Sequence, residues 1–265
     1  MSSPFEPRPA EPRPAEPGAG EAAGPGRRAE LAANLAAVRA RIAAACAAAG
    51  RDPDELTLIA VTKTWPAADA AALADLGLTD LGENRDQEAA PKAAAVAELT
   101  ATPVTWHFIG QLQSNKAHSV VRYASVVHSV DRARLVRALG AAAYGTPPGR
   151  NVVGAALTCL VQVSLDGDPD RGGVPADRMR GLAEQIQAAP GLALGGLMAV
   201  APLNTDPGTA FAPLRRLSDT VREINPAATI ISAGMSGDLE AAVQNGATHL
   251  RIGTALLGNR SLPVL

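Results

Sequence analysis

Lys63 stands one residue beyond the short apolar run Leu58-Ile59-Ala60-Val61, where β-branched Thr57, Ile59, Val61 and Thr62 favour a buried strand. At a period of two, Thr57, Ile59, Val61 and Lys63 share one face, so the strand delivers a primary amine to its own end. Burying an ammonium is costly, and a lysine expected there needs a chemical reason. Reaction with a carbonyl is one, because a desolvated lysine can act as a neutral nucleophile and form an imine, which arginine cannot. Of the 24 basic residues only Lys63, Lys92 and Lys116 are lysines, so a lysine at 63 is not the chain's default cation. The plain alternative is a strand-end lysine that snorkels to water or pairs with a carboxylate.

Other chemically loaded residues cluster after apolar runs: Gly82-Glu83-Asn84, Trp106-His107-Phe108-Ile109-Gly110, His128-Ser129, Ser232-Ala-Gly-Met-Ser236 and Arg251-Ile-Gly-Thr254. The last two have the features of a phosphate site. Ala233, Gly234 and Gly237 let backbone N–H groups approach an anion, Ser236 is placed to cap a helix beginning near Gly237, and Gly253-Thr254 offers a second nest. An ordinary strand-to-helix turn with a serine cap fits the same residues. Arg251 alternates with Leu250 and Ile252 and shares a face with His249, so its guanidinium needs an acceptor: a phosphate, a structural carboxylate or a pyridine nitrogen. His107 and His128 fit satisfied core histidines as well as functional ones, and neither takes part in a metal-ligand spacing.

These residues must be positioned by an alternation of strands and helices. Strands are expected at 57–61, 79–82, 105–109, 126–130, 156–163, 194–200, 229–232 and 248–252. Helical stretches separate them, most clearly at 69–76, 131–142, 175–188, 208–223 and 237–244. Eight βα units imply one closed parallel (β/α)8 TIM-type barrel, whose site forms at the C-terminal ends of the strands. A doubly wound open sheet is the alternative, but no Gly-x-Gly-x-x-Gly follows the first strand. Before the barrel, Leu31, Leu35, Val38, Ile42 and Cys46 recur at helical steps from Arg27 to Ala49, and Gly50 ends that helix. Residues 1–26, with the repeat Glu-Pro-Arg-Pro-Ala, read as a disordered Pro-rich tail, and 27–265 as the barrel domain.

The net charge of −2 and the lack of a basic cluster interleaved with aromatics argue against nucleic-acid binding. Cys46 and Cys159 are too few for a disulfide framework or a metal site. No signal peptide is legible, and no stretch reads as the roughly 18 apolar residues of a membrane helix, so a cytoplasmic protein is expected.

Val61-Thr-Lys-Thr64, Gly82-Glu-Asn84, His107-Phe-Ile-Gly-Gln-Leu-Gln-Ser-Asn-Lys116, Gly196-Leu-Met198, Gly234-Met-Ser236 and Leu250-Arg-Ile-Gly-Thr254, in that order, resemble the YggS/PROSC family of pyridoxal-phosphate homeostasis proteins. The resemblance runs from about Leu31 to Gly258 and departs from many relatives at Gln111, where they have proline. It implies a barrel related to the N-terminal domain of alanine racemase, with pyridoxal 5'-phosphate held on Lys63 as a Schiff base. By the same resemblance Ser236, Arg251, Gly253 and Thr254 fall in cofactor-binding motifs, with Asn84, Met198, Ser232 and Met235 as pocket walls.

The implied role is a non-catalytic carrier in vitamin B6 and amino-acid homeostasis, a monomer or weak dimer, with pyridoxal-phosphate-dependent apoenzymes as candidate partners. An amino-acid racemase is the runner-up, and a class I aldolase, which also uses a barrel lysine, a third reading. Against the racemase, a second acid/base group opposite Lys63 is lacking: the only tyrosines, Tyr123 and Tyr144, follow helices and should lie toward the barrel's opposite end.

Overall fold

The computed structural model describes residues 22–144, 156–168 and 172–259. Eight parallel strands, β1 (Thr57–Val61), β2 (Asp80–Glu83), β3 (Thr105–Phe108), β4 (Val126–Val130), β5 (Leu157–Gln162), β6 (Leu192–Met198), β7 (Ile230–Ser232) and β8 (His249–Ile252), pair in chain order and close β8 onto β1. Closure is in register at Thr57↔His249 through Ala60↔Ile252. The expected TIM-type barrel is therefore the observed fold.

The outer layer comprises α1 (Pro25–Ala49), α2 (Ala67–Asp75), α3 (Asp86–Leu99), α4 (Ala117–Val120), α5 (Ala133–Ala143), α6 (Ala176–Ala188), α7 (Pro207–Phe211), α8 (Leu214–Arg222), α9 (Leu239–Gln244) and α10 (Thr254–Leu257). The helix expected at 208–223 is two helices, because Pro213 between them lacks the N–H that a continuous helix needs. Helix α3 carries Pro91 in its interior, which hides it from a reading of periodicity.

Helix α1 begins at Pro25, so residues 25 and 26, assigned above to the tail, form its first turn; residues 1–21 lie outside the described residues. Contrary to the sequence expectation, α1 is long and apolar enough for a membrane span. Its packing assigns it to the barrel instead. Leu31, Leu35, Val38, Ile42 and Cys46 are buried against the barrel's outer helices, each worth about 1.5–3 kcal/mol for the larger side chains. Arg27 binds Asp69 and Arg41 forks onto Glu240. Gly50 ends the helix at φ 64, a left-handed cap that glycine adopts without penalty.

The barrel interior departs from stacked aliphatic layers. Val126, Leu160 and Met198 form a small apolar cluster with Val200 and Ile230, but Asp80, His107, His128, Ser232, His249 and Arg251 also point inward. Their mutual contacts across β2, β3, β4, β7 and β8 can only be made through the lumen. Cys46 and Cys159 are free and buried.

Candidate functional site

Strand β1 ends at Val61, Thr62 turns to the outside of the sheet, and Lys63 stands exposed at the barrel mouth. The expectation that Lys63 is buried is not met. The buried lysine is Lys92 on α3, with 6% of its side chain accessible. Its Nζ donates to the Thr62 carbonyl oxygen at 2.8 Å, to Glu83 Oε1 at 2.6 Å and to Glu88 Oε1 at 2.8 Å. Thr62 Oγ1 also donates to Glu83 Oε1, and the backbone N–H of Thr64 donates to Glu88 Oε1. One ion cluster thus holds the peptide groups on both sides of Lys63.

Thr64 adopts φ 66, an uncommon conformation for a β-branched residue, which the cluster secures. Burial pushes the Glu83 carboxyl up, against the opposing pull of the Lys92 ammonium. Glu83, Glu88 and Lys92 went unremarked in the sequence as site-builders. The scarcity of lysine that singled out Lys63 was the available signal for Lys92.

The second half of the site lies on β7 and β8 and the loops that follow. Arg251 is buried; Nη1 donates to Ser232 Oγ at 2.6 Å and Nη2 to the Ala199 carbonyl at 3.0 Å. Among the described residues no carboxylate lies within ion-pair distance, and burial lowers the guanidinium to about 10 despite distant Asp238. A buried cation served only by neutral acceptors fits a site that takes an anion or a lone pair from a ligand.

Ser236 does not cap a helix. Its Oγ accepts the N–H of Ala255 at 3.3 Å, tying the loop after β7 to the start of α10, while α9 begins only at Leu239. Gly234, at φ 92, has no room for a side chain: a Cβ would lie 2.6 Å from Ala242 Cβ. Gly253 packs against Val61, with an added Cβ 3.4 Å from Val61 Cβ, so this loop sits beside the end of β1, two residues before Lys63.

Met198 is buried at the end of β6, opposite Ser232 in register. Met235 and Thr254 are exposed at the mouth, and Asn84 is half-buried after β2 with its backbone against Gly110. The nine residues that the family resemblance assigns to the cofactor site therefore lie at or just beyond the C-terminal strand ends, whereas His128 lies mid-strand in β4.

Neither tyrosine is opposite Lys63. Tyr144 is exposed before a segment outside the described residues. The Tyr123 ring lies outside the sheet between α3 and α4, and its hydroxyl reaches Asp86 Oδ1 at 3.4 Å at the start of α3. That hydroxyl is nearer the mouth than its place in the chain suggested. Burial and the Asp86 and Glu83 carboxylates push it far above the ordinary phenol range.

Residues 33–261 match the family described as the alanine racemase N-terminal domain. The chain is 45% identical over 251 residues to the pyridoxal phosphate homeostasis protein of Mycobacterium tuberculosis, covering 90% of this chain and 96% of the relative. To the Escherichia coli protein of that name it is 36% identical over 234 residues, 87% of this chain and 97% of the other. Among solved structures, PipY of Synechococcus elongatus with pyridoxal phosphate bound aligns with a TM-score of 0.72 at 33% identity, covering 86% of this chain and all of PipY. Alanine racemase of Corynebacterium glutamicum shares the fold, with a TM-score of 0.61 and 15% identity over 90% of this chain and 62% of the racemase. On sequence identity, coverage and barrel architecture together, the chain belongs to the pyridoxal phosphate homeostasis protein family.

Proposed function

We propose that this protein binds pyridoxal 5'-phosphate and serves intracellular cofactor and amino-acid homeostasis as a carrier. The observation that carries the reading is the pairing of an accessible lysine at the end of β1 with a neighbouring strand, β8, that buries an arginine having no carboxylate partner among the described residues. Lys63 would hold the cofactor's aldehyde covalently. Ser236, Gly253 and Thr254 would receive its phosphate, Ser232 and Arg251 its ring edge, and Asn84, Met198 and Met235 its faces. When bound, pyridoxal phosphate supplies an electron sink; the protein orients it and controls its surroundings.

The carrier reading over a racemase rests on what this chain places near Lys63. Two-sided racemisation needs an acid/base group on each face of the substrate Cα. Lys63 can serve one. Tyr123 is engaged outside the sheet, and Arg251 can only donate, which would leave a pyridine nitrogen unprotonated. The same reading has the protein act in the cytoplasm as a monomer or weak dimer that passes cofactor to apoenzymes, with the barrel and α1, from Pro25 onward, as the working unit.

Borohydride reduction of the loaded protein followed by peptide mass analysis tests the binding. The expected result is a pyridoxyl adduct on Lys63 that is lost in Lys63→Ala with the barrel still folded; an adduct on Lys116 or Lys92 would refute the assignment. Deuterium exchange at Cα of L-alanine in D2O tests the carrier role. Turnover of about 1 per second or faster, within the ordinary enzyme range, would make the protein a racemase.

A further inference from the structure

Five side chains form an unbroken hydrogen-bonded chain through the lumen, from the ends of β7 and β8 to the first residue of β2. Arg251 Nη1 donates to Ser232 Oγ at 2.6 Å, and Ser232 Oγ lies 2.9 Å from His128 Nδ1. His128 Nε2 is 2.9 Å from His107 Nδ1, and His107 Nε2 is 3.0 Å from Asp80 Oδ1. Ser232 and His128 are fully buried, whereas the Asp80 side chain keeps 28% of its surface in water.

Proton counting gives this chain two states. With both imidazoles neutral, Asp80 accepts from His107 Nε2–H, leaving His107 Nδ1 to accept from His128 Nε2–H. His128 Nδ1 then accepts the Ser232 O–H, and a Ser232 lone pair remains for Arg251. With one proton more, His107 carries N–H on both nitrogens, held by the Asp80 carboxylate. His107 then donates to His128 Nε2, His128 donates from Nδ1 to Ser232, and Ser232 accepts on both sides with its own O–H released.

The contact geometry seats the extra proton on His107, the imidazole that touches the Asp80 carboxylate. His128 faces His107, Arg251 and His249, and burial together with those neighbours holds it well below the ordinary imidazole range. His249, whose ring centre is 6.5 Å from that of His107, is likewise held down, to about 4. Asp80 is the carboxylate that touches the chain.

We infer that Asp80, His107 and His128 are positioning residues of the Ser232–Arg251 pocket and act as a two-state proton relay. A proton delivered to Ser232 Oγ from the pocket displaces the serine proton to His128 Nδ1. The His128 Nε2 proton passes to His107 Nδ1, so one proton enters at Ser232 and one charge is stored beside Asp80. The direction of the Ser232 hydroxyl, and with it the donor pattern beside Arg251, then reports the protonation of a pair on the far side of the lumen.

The relay itself is independent of any cofactor. Its effect on ligand affinity rests on the pyridoxal-phosphate reading above. The test is 15N NMR of histidine-labelled full-length protein without cofactor, across pH. At alkaline pH His107 and His128 should both be neutral Nε2–H tautomers. On acidification His107 should become cationic while His128 stays neutral and switches to Nδ1–H at the same midpoint.

A His128 that itself becomes cationic, or keeps its tautomer through the His107 titration, overturns the relay. Asp80→Asn, which preserves size and removes the charge, should lower the shared midpoint by at least about one pH unit, a tenfold weaker proton affinity. An unmoved midpoint would refute the role of Asp80. Equilibrium binding of pyridoxal phosphate should change across the wild-type midpoint and shift with it in Asp80→Asn; affinity indifferent to that midpoint overturns the link to the pocket. A protein that binds no pyridoxal phosphate refutes the functional reading instead, and the NMR result still decides the relay.

Discussion

Lys92 Nζ lies 2.8 Å from the carbonyl oxygen of Thr62, the residue before Lys63. A buried ammonium on a helix thereby sets the path of the backbone that presents Lys63. Lys92→Met should leave Glu83 buried without its cation and cost about 3–5 kcal/mol in denaturant unfolding. Adding Glu83→Gln should recover part of that loss. A single-variant cost below about 1 kcal/mol would mean that the cluster does not stabilise the fold.

Acid should destabilise the protein through His249. Its folded value is about 4 against 6.5, so protonation favours the unfolded chain. The contribution is fully present above pH 6.5 and is lost as pH falls from there through about 4, amounting to about 3 kcal/mol. His249→Asn should show a smaller fall in stability between pH 7 and 4 than the parent; an equal fall would assign the acid sensitivity elsewhere.

Two glycines in one loop should respond oppositely. Gly234→Ala forces a side chain into φ 92 and against Ala242, and should cost about 1–3 kcal/mol in thermal or denaturant unfolding. Gly237→Ala meets nothing within 4 Å and should change stability by less than about 0.5 kcal/mol. Equal effects would show that the loop does not hold the described conformation.

Arg251→Ala and Ser236→Ala should each weaken retention of pyridoxal phosphate by roughly 1.5–3 kcal/mol, the range for hydrogen bonds to charged groups. Equilibrium dialysis with unfolding measured in parallel separates lost contacts from lost structure. Unchanged affinity in a folded variant would remove that residue from the binding set.

The barrel was legible because parallel strands buried on both faces leave apolar runs, and because the residues after those runs are chemically loaded. Lys63, Ser232 and Arg251 could be picked out on that basis. What periodicity could not reveal were the partners. Glu83 lies in a motif already noted, yet nothing in its spacing shows that it meets Lys92 nine positions later behind the sheet. The relation of His128 to Ser232, 104 residues apart, exists only once the barrel closes. Ser236 was misread for a similar reason: a serine before a helical stretch fits a cap, but its acceptor is used by Ala255 in the first turn of α10, after another strand.

That contact between Ser236 and Ala255 is made by the chain's own atoms, so the two loops are fastened together when the barrel folds. Their ordering cost falls on folding and is not charged again at each arrival of a ligand. On the proposed function, these loops would form a berth assembled in advance of its cargo. If Lys63 holds that cargo covalently, as proposed, its dwell time would be governed by how fast one covalent bond exchanges.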